Sequence, residues 1–238
     1  MKRGYVVYEG KSMFNKQPIV GIVTMTSSNE KTGNMAQLWI LNKDMSPMEA
    51  VNNHEDVSIC GGCKHRHNLG GACYVLPFQG PTSVYKSYKA GKYSNDIEDL
   101  QLMISNRGIR LGAYGDPAML PESVLSLLTE SARFHTGYTH QWKNKRLAHA
   151  VKYCQGSVDT SDEYKTFKMM YPYGFTFRVT EDDSEALSDE VECLADSQGL
   201  SCIECKMCDG SKKDISIVVH GAKKNRYINQ IKIKEVSV

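Results

Sequence analysis

The densest group of potential metal ligands in this sequence is a run of three cysteines near its C-terminal end. Cys202, Cys205 and Cys208 are each separated by two residues, a spacing that lets several thiols reach one centre. Zinc sites use Cys-x2-Cys units in pairs set well apart, whereas three cysteines at this spacing are more typical of iron–sulfur ligation. Cys193 lies close enough in sequence to be a fourth ligand. We therefore predict a metal or iron–sulfur centre held by these four cysteines.

A second cysteine group occupies a glycine-rich loop in the first third of the chain. Cys60, Cys63 and Cys73 are the predicted ligands, and His65 and His67 lie between them. Two interpretations stay open. One is a zinc site closed by a histidine, and the other is a three-cysteine iron–sulfur centre with one iron left open for a substrate or cofactor. The two cysteine groups could also share a single centre.

Polar groups gather at the end of a predicted strand over residues 108–114. Functional groups of α/β folds lie beyond the carboxyl ends of strands, so Arg110 and Asp116 are candidate catalytic residues. Gly112 and Gly115 are candidate cofactor-binding positions, because a residue without Cβ lets a ligand approach the backbone. The competing interpretation is a plain strand-to-helix turn.

Two histidines complete the candidate catalytic set. His140 follows a stretch of polar and aromatic residues and could act as an acid, a base or a ligand. His220 closes the last long predicted strand and could face the same pocket. A structural histidine and a simple strand exit account for these positions nearly as well. Cys154, which stands apart from both cysteine groups, is predicted to be a core residue.

Tyrosines and lysines alternate between residues 85 and 93. Tyr85, Tyr88 and Tyr93 with their neighbouring lysines form a pattern that single-stranded nucleic acid prefers. The same pattern is typical of an amphipathic surface helix, and the net charge of +2 favours that interpretation. The sequence contains no P-loop, no Gly-x-Gly-x-x-Gly after a strand and no Gly-x-Ser-x-Gly motif.

Composition indicates where these residues must be positioned. The 238 residues are 41% hydrophobic and 24% charged, which is an ordinary globular composition. We predict a single α/β domain over 1–238 with cysteine-rich loops at 60–74 and 193–210. No run approaches the roughly 20 apolar residues of a membrane span. Glu9 and Lys11 interrupt the N-terminal segment, so we expect no signal peptide, no membrane partner and a cytoplasmic location. In a reducing compartment, clustered cysteines indicate metal more often than disulfides.

Strand and helix patterns alternate along most of the chain. Predicted strands cover 5–8, 19–24, 36–41, 108–114, 134–142, 148–154, 175–180, 190–194 and 214–220. Predicted helices cover 47–53, 82–88, 121–132 and 160–171, and a polar linker spans 91–99. Strands separated by helices pair in parallel through right-handed crossovers. The fold class expected is therefore α/β, with either a partial (β/α) barrel or an open, mostly parallel sheet.

The ordered motifs resemble a family of cysteine-rich proteins from tailed phages and prophages. The resemblance rests on the 60–74 loop, residues 110–117, residues 137–142 and the 202–210 segment, and it covers about residues 31–221. It implies expression in a host cytoplasm and no particular activity. Through the phage association, it makes a nucleotide or nucleic-acid base a plausible substrate.

A looser similarity is to radical S-adenosylmethionine enzymes. These proteins have three cysteines in a loop after an early strand, the last often followed by an aromatic residue, as Tyr74 follows Cys73 here. Their usual spacing is Cys-x3-Cys-x2-Cys, whereas this chain has Cys-x2-Cys-x9-Cys. The similarity implies a partial barrel, a catalytic cluster at the first cysteine group, an auxiliary cluster at the second and S-adenosylmethionine as cofactor. The alternative function is a zinc-stabilised nucleic-acid-binding or replication-associated protein without catalysis.

Overall fold

A computed structural model describes residues 4–26, 30–220 and 223–235, with side chains described up to residue 229. Within these ranges nine strands form one sheet in the order β1-β2-β3-β4-β5-β6-β7-β9-β8, and the sheet does not close. The strands are β1 (Gly4–Lys11), β2 (Pro18–Thr24), β3 (Ala36–Asn42), β4 (Gly108–Tyr114), β5 (Phe134–Thr139), β6 (Gln155–Val158), β7 (Thr176–Thr180), β8 (Glu190–Glu192) and β9 (Asp214–Val218). The α-helices are α1 (Pro47–Asn52), α2 (Val57–Cys60), α3 (Gly80–Lys89), α4 (Ile97–Ile104), α5 (Glu122–Ser131), α6 (Ser161–Met170), α7 (Leu194–Ser197), α8 (Cys202–Cys205) and α9 (Lys224–Glu235).

The sheet has an antiparallel beginning and a longer parallel part. β1, β2 and β3 pair antiparallel, and β2 is an almost continuous buried apolar run. From β3 onward every pairing is parallel, with β3, β4, β5, β6, β7 and β9 adjacent in chain order and β8 outside β9. This arrangement confirms the predicted open, mostly parallel α/β sheet. Because parallel strands share a direction, their carboxyl ends lie along the same edge.

Local signals placed several helices correctly. Ser46 caps α1, and the side chain of Glu49 accepts a hydrogen bond from the Ser46 amide, which completes the predicted capping box. Thr160 caps α6 by accepting from the Glu163 amide 3.1 Å away. The Glu163 carboxylate accepts a hydrogen bond from the Asp159 amide rather than from the Thr160 amide, so Thr160 and Glu163 do not form a capping box.

Two segments differ from their predicted structure. The strand expected over 148–154 is wrong, because Lys145–Lys152 is a 3-10 helix that buries Leu147, Ala150 and Val151. Asn144 caps this helix, and the strand begins only at Gln155. The strand expected over 134–142 ends at Thr139, so strand alternation does not extend to residues 140–142.

The linker expected over 91–99 ends earlier than predicted. Asp96 accepts a hydrogen bond from the Asp99 amide and starts α4, which buries Leu100 and Ile104 one helical turn apart. An acidic N-cap followed by apolar residues four apart is a readable helix signal. The core lies mainly around β2, β3 and β4, and a smaller cluster surrounds the buried Trp142 and Phe167.

Candidate functional site

The structure brings the first three cysteines together where the chain leaves β3. Cys60 ends α2, the Cys63 amide donates to the Cys60 carbonyl, and the Cys73 amide donates to the His65 carbonyl. Burial raises the pKa of all three thiols, well above the usual range for Cys60, to about 12 for Cys63 and to about 11 for Cys73. Cys63 and Cys73 also raise the pKa of Cys60 electrostatically, so the three thiols are neighbours.

Gln141 holds this loop against the end of β5. Its side-chain amide donates to the Cys60 carbonyl at 3.0 Å and accepts from the Gly62 amide at 3.0 Å. Gly61 lies between these two groups with a φ of +54°, and a Cβ there would come within 2.5 Å of Gln141 Oε1. Glycine at position 61 therefore satisfies both the backbone conformation and the approach of Gln141. The sequence analysis did not assign a role to Gln141.

The histidines of the loop make contacts with protein groups. His65 Nε2 lies 3.1 Å from both carboxylate oxygens of Asp159, and its ring stacks on Tyr227 at a centroid distance of 5.3 Å. His67 Nε2 contacts the Val75 carbonyl at 2.7 Å, and its Nδ1 lies 3.3 Å from Lys223 Nζ. Both ring nitrogens of His67 thus have partners other than a metal.

Asp116 and His140 lie together at the carboxyl ends of β4 and β5. The buried Asp116 carboxylate accepts from Thr139 Oγ1 and from the His140 amide, each at 2.8 Å, and from the Ala118 amide at 3.0 Å. The imidazole of His140 has its Nδ1 4.0 Å from this carboxylate. Burial raises the pKa of Asp116 and lowers that of His140, whereas their mutual attraction acts in the opposite sense on each. Asp116 therefore ties the two strand ends together as well as facing His140.

A second acidic group extends the cluster along the same edge. Asp159 follows β6, is 5% exposed, and accepts a hydrogen bond from the Tyr227 hydroxyl at 3.0 Å. Lys64 pairs with both Asp159 and Glu163. The ring of His65 also meets that of His140 edge-on at 5.6 Å, which joins the two acid–histidine pairs. We call Asp116, His140, His65, Asp159, Glu163, Lys64 and Tyr227 the edge cluster.

Sequence reasoning found only part of the edge cluster. It named Asp116 from its position after a predicted strand and His140 from the polar and aromatic residues of the strand predicted over 134–142, but it assigned no chemistry to Asp159, Glu163 or Tyr227. The segment at 159–163 carried one usable signal, since an acid directly after a short strand marks the carboxyl edge of a parallel sheet. Tyr227 had no such signal, because α9 joins the cluster from the far end of the chain.

The second cysteine group also forms in the fold. Cys193 follows β8, Cys202 and Cys205 bound α8, and Cys208 is buried beside Tyr138. Burial raises the pKa of Cys193 and Cys202, and raises that of Cys208 to about 12. Cys193, Cys202 and Cys205 each add electrostatically to the shift at Cys208, which places the four thiols near one another.

Local contacts hold this group in place. A capping box between Ser201 and Glu204 starts α8, and Lys206 ends it in the left-handed conformation at a φ of +55°. The Cys208 carbonyl accepts a hydrogen bond from the Gly137 amide of β5. This bond fixes the last cysteine of the group directly against the parallel sheet.

Arg110 lies between the two cysteine groups and apart from the acidic part of the edge cluster. Its guanidinium donates to the hydroxyl of Tyr74, the residue after Cys73, and interacts electrostatically with Cys202. Gly112 and Gly115 have positive φ values of +72° and +80°. A Cβ at Gly112 would meet Pro117 and one at Gly115 would meet Ile40, so protein atoms fill the space beside both glycines.

His220 and Cys154 lie elsewhere. The exposed side chain of His220 contacts Lys31 at 2.9 Å and the Val218 carbonyl at 3.0 Å, on the side of the second cysteine group. Cys154 is fully buried in the core beside Gly137, as predicted. No disulfide links any of the eight cysteines.

The tyrosines of α3 do not form a stacking surface. Tyr85 is 8% exposed and belongs to the main core, and Tyr88 and Tyr93 pack against that core. Tyr88 also donates to Glu9 at 2.9 Å. Tyr85 and Tyr88 belong to the amphipathic helix α3, which the net charge favoured, and Tyr93 follows it; all three rings pack in or against the core.

The chemistry of the cysteine thiols suits a metal site, but their placement does not form one. Thiols in sets of three and four suit zinc or iron–sulfur chemistry. Across 4–26, 30–220 and 223–235, however, no three or more cysteine, histidine or acidic side chains are placed so that they could hold a metal ion as they stand. The chemistry of both groups fits a metal, and coordination would require their side chains to converge further.

Comparisons with known proteins add no relative. No protein-family model, curated protein or solved structure matches the chain. In the described part of the chain, none of the helices has the length and apolar character needed to cross a membrane. The arguments that follow therefore depend on the residues and geometry above.

Proposed function

We propose that this protein binds zinc or an iron–sulfur cluster through its two cysteine groups. The observation that supports the proposal is that the thiols of each group interact electrostatically, Cys60 with Cys63 and Cys73, and Cys208 with Cys193, Cys202 and Cys205. Cys193 supports the proposal in particular. It directly follows β8, and it interacts electrostatically with Cys208, which lies beyond α7 and α8. Buried thiols that cluster without disulfides are characteristic of metal sites.

The two groups suit different roles. Four thiols can close a coordination sphere, which is typical of a structural or auxiliary centre. Three thiols leave a position open to a substrate or cofactor. The three-thiol group lies beside the edge cluster, where Asp116 and His140 could take up or release a proton. We therefore propose that chemistry takes place at Cys60, Cys63 and Cys73.

The order of the parallel strands supports a radical-SAM-like enzyme as the specific form of this proposal. Six parallel strands follow one another in chain order, and the three-cysteine loop comes after the first of them. The proposed cofactor is S-adenosylmethionine. The phage resemblance makes a nucleotide or nucleic-acid base the substrate class to test first.

Anaerobic purification followed by metal and sulfide analysis tests the proposal. Three proteins are compared with the parent: Cys60→Ser/Cys63→Ser, Cys202→Ser/Cys205→Ser, and Cys154→Ala as the matched control with a buried cysteine outside both groups. We expect each double variant to lose the metal of its own group and the control to retain both. A folded parent without iron or zinc, or double variants with the parent's metal content, would show the proposal to be wrong.

The identity of the metal decides between the two forms of the proposal. Iron with sulfide and visible absorption supports the cluster, and cleavage of S-adenosylmethionine by the reduced protein is then the expected activity. Colourless protein with zinc alone excludes the radical-SAM-like form and leaves a zinc-stabilised protein.

A further inference from the structure

Arg110 has hydrogen-bonding capacity that the protein does not use. Its Nη2 donates to the Tyr74 hydroxyl, but its Nε is buried and has no hydrogen-bond partner among the described residues. An unpaired buried donor costs free energy unless something else pairs with it. The position lies on β4, between the first cysteine loop and Cys202.

The surroundings of Arg110 provide no carboxylate. The side chains that most affect its pKa are Tyr74, Tyr138 and Cys202, which are phenols and a thiol. Among the described residues, no acidic side chain forms a salt bridge with the Arg110 guanidinium, which is always charged.

The geometry of the guanidinium defines which ligand would complete it. Nε and Nη2 form one edge of the planar fork, and that edge matches the two oxygens of a carboxylate or phosphate. Tyr74, whose hydroxyl accepts the hydrogen bond from Nη2, is 68% exposed and separates this edge from solvent.

We propose that Arg110 binds the carboxylate or phosphate of a small ligand in the space between the two cysteine groups. Tyr74 covers this position and contributes its hydroxyl. The site goes beyond the proposed function, because it requires neither metal nor cluster. It assigns the ligand of this protein to the class of small oxyanions.

Titration of the purified full-length protein with inorganic phosphate, malonate and chloride, monitored by calorimetry, tests this site. Arg110→Gln removes the fork, Arg110→Lys keeps the charge without the fork, and Arg146→Gln removes an exposed arginine elsewhere as a control. We expect saturable binding of phosphate or malonate above the chloride response. The affinity should fall about tenfold or more in Arg110→Gln and stay unchanged in Arg146→Gln.

Two results would overturn the site: no saturable oxyanion binding by the parent, or an oxyanion affinity of Arg110→Gln equal to that of the parent. If circular dichroism shows that Arg110→Gln does not fold, the oxyanion affinity of Arg110→Lys is measured instead. An affinity of Arg110→Lys equal to that of the parent would reject bidentate binding by the guanidinium. A change in metal content with unchanged oxyanion affinity would assign Arg110 to the second cysteine group instead.

Discussion

At the scale of single residues, Gln141 shows how a neutral side chain can position a reactive loop. It is 3% exposed and satisfies one buried carbonyl and one amide of the 60–62 turn. The turn is also held by hydrogen bonds from Arg66 Nη1 to the Gly61 carbonyl and from the Cys63 amide to the Cys60 carbonyl, and Gln141 ties it to the end of β5. The position of Cys60 relative to the edge cluster therefore depends on the side-chain amide of Gln141.

Replacing Gln141 with alanine should destabilise the fold by about 1–3 kcal/mol, because the buried Gln141 side chain loses its two hydrogen bonds, to the Cys60 carbonyl and from the Gly62 amide. Urea unfolding of the metal-free protein measures this change. Gln101→Ala is the control, since its amide makes one hydrogen bond to Ser131 Oγ at the surface of α4. A loss in Gln141→Ala no greater than that in Gln101→Ala would contradict the role given to Gln141.

Glu163 should make stability depend on pH. Burial alone would raise its pKa, but Lys143 and Lys64 outweigh burial and lower the pKa below the usual 4.5. The folded state therefore prefers the ionised form, and its stabilisation is complete above about pH 4.5 and lost as the pH falls through the folded-state pKa. Glu163→Gln should be less stable than the parent at pH 7, with the difference shrinking toward about pH 3.

Urea unfolding across this pH range measures the difference between the two proteins. Asp162→Asn on the same helix removes an exposed pair with Lys165 and should give little change at any pH. A difference between Glu163→Gln and the parent that grows on acidification would refute the sign of the shift.

The sequence named the cysteines, Asp116 and His140 as separate candidates, but it did not show which residues they contact. Cysteine spacing is local, so both groups could be predicted from it. The contact between His65 and Asp159 joins residues 94 positions apart and leaves no periodic trace. Gly112 and Gly115 were predicted to bind a cofactor, but the sequence could not show that Pro117 and Ile40 fill the space beside them.

At the scale of secondary-structure elements, a buried ion pair fixes the edge strand that carries Cys193. Arg178 on β7 donates to both carboxylate oxygens of Glu190 on β8, at 2.7 and 2.6 Å. The two side chains are 4% and 0% exposed. Because β8 has only three residues and pairs with β9 alone, this contact determines where Cys193 lies.

Arg178→Gln should destabilise the protein by about 3–5 kcal/mol, because it leaves a buried carboxylate without its partner. It should also reduce metal retention at the second cysteine group more than at the first. Lys152→Gln, which breaks an exposed pair with Glu122, is the control and should behave like the parent. Unfolding midpoints and metal content of the same samples are the measurements, and parity between the two variants would count against this account.

Elements with strong local signals were predictable, and short connecting elements were not. The capped helices α1 and α6 and the apolar strands β2, β3 and β4 match their predicted positions. The 148–154 segment was misassigned because its valine and tyrosine suit a strand, whereas the buried residues Leu147, Ala150 and Val151 follow helical spacing. Tertiary packing decided this case over local preference.

At the scale of the whole molecule, the parallel sheet brings distant loops to common positions. The first cysteine loop, the ends of β4, β5 and β6, and Tyr227 of α9 meet at one edge. The second cysteine group lies against β5, with Arg110 between the two groups. The sequence predicted the class of sheet from its alternating elements, but not its strand order or the antiparallel β1–β3 portion.

The central claim is that cysteine thiolates bind metal in this protein. X-ray absorption at the zinc and iron edges of anaerobically purified protein counts the sulfur neighbours of each metal directly. The account predicts a sulfur-dominated first shell, at about 2.3 Å for zinc, which is lost in a protein with both pairs of cysteine-to-serine substitutions. A metal surrounded only by nitrogen and oxygen, or a folded protein without zinc or iron, would contradict it.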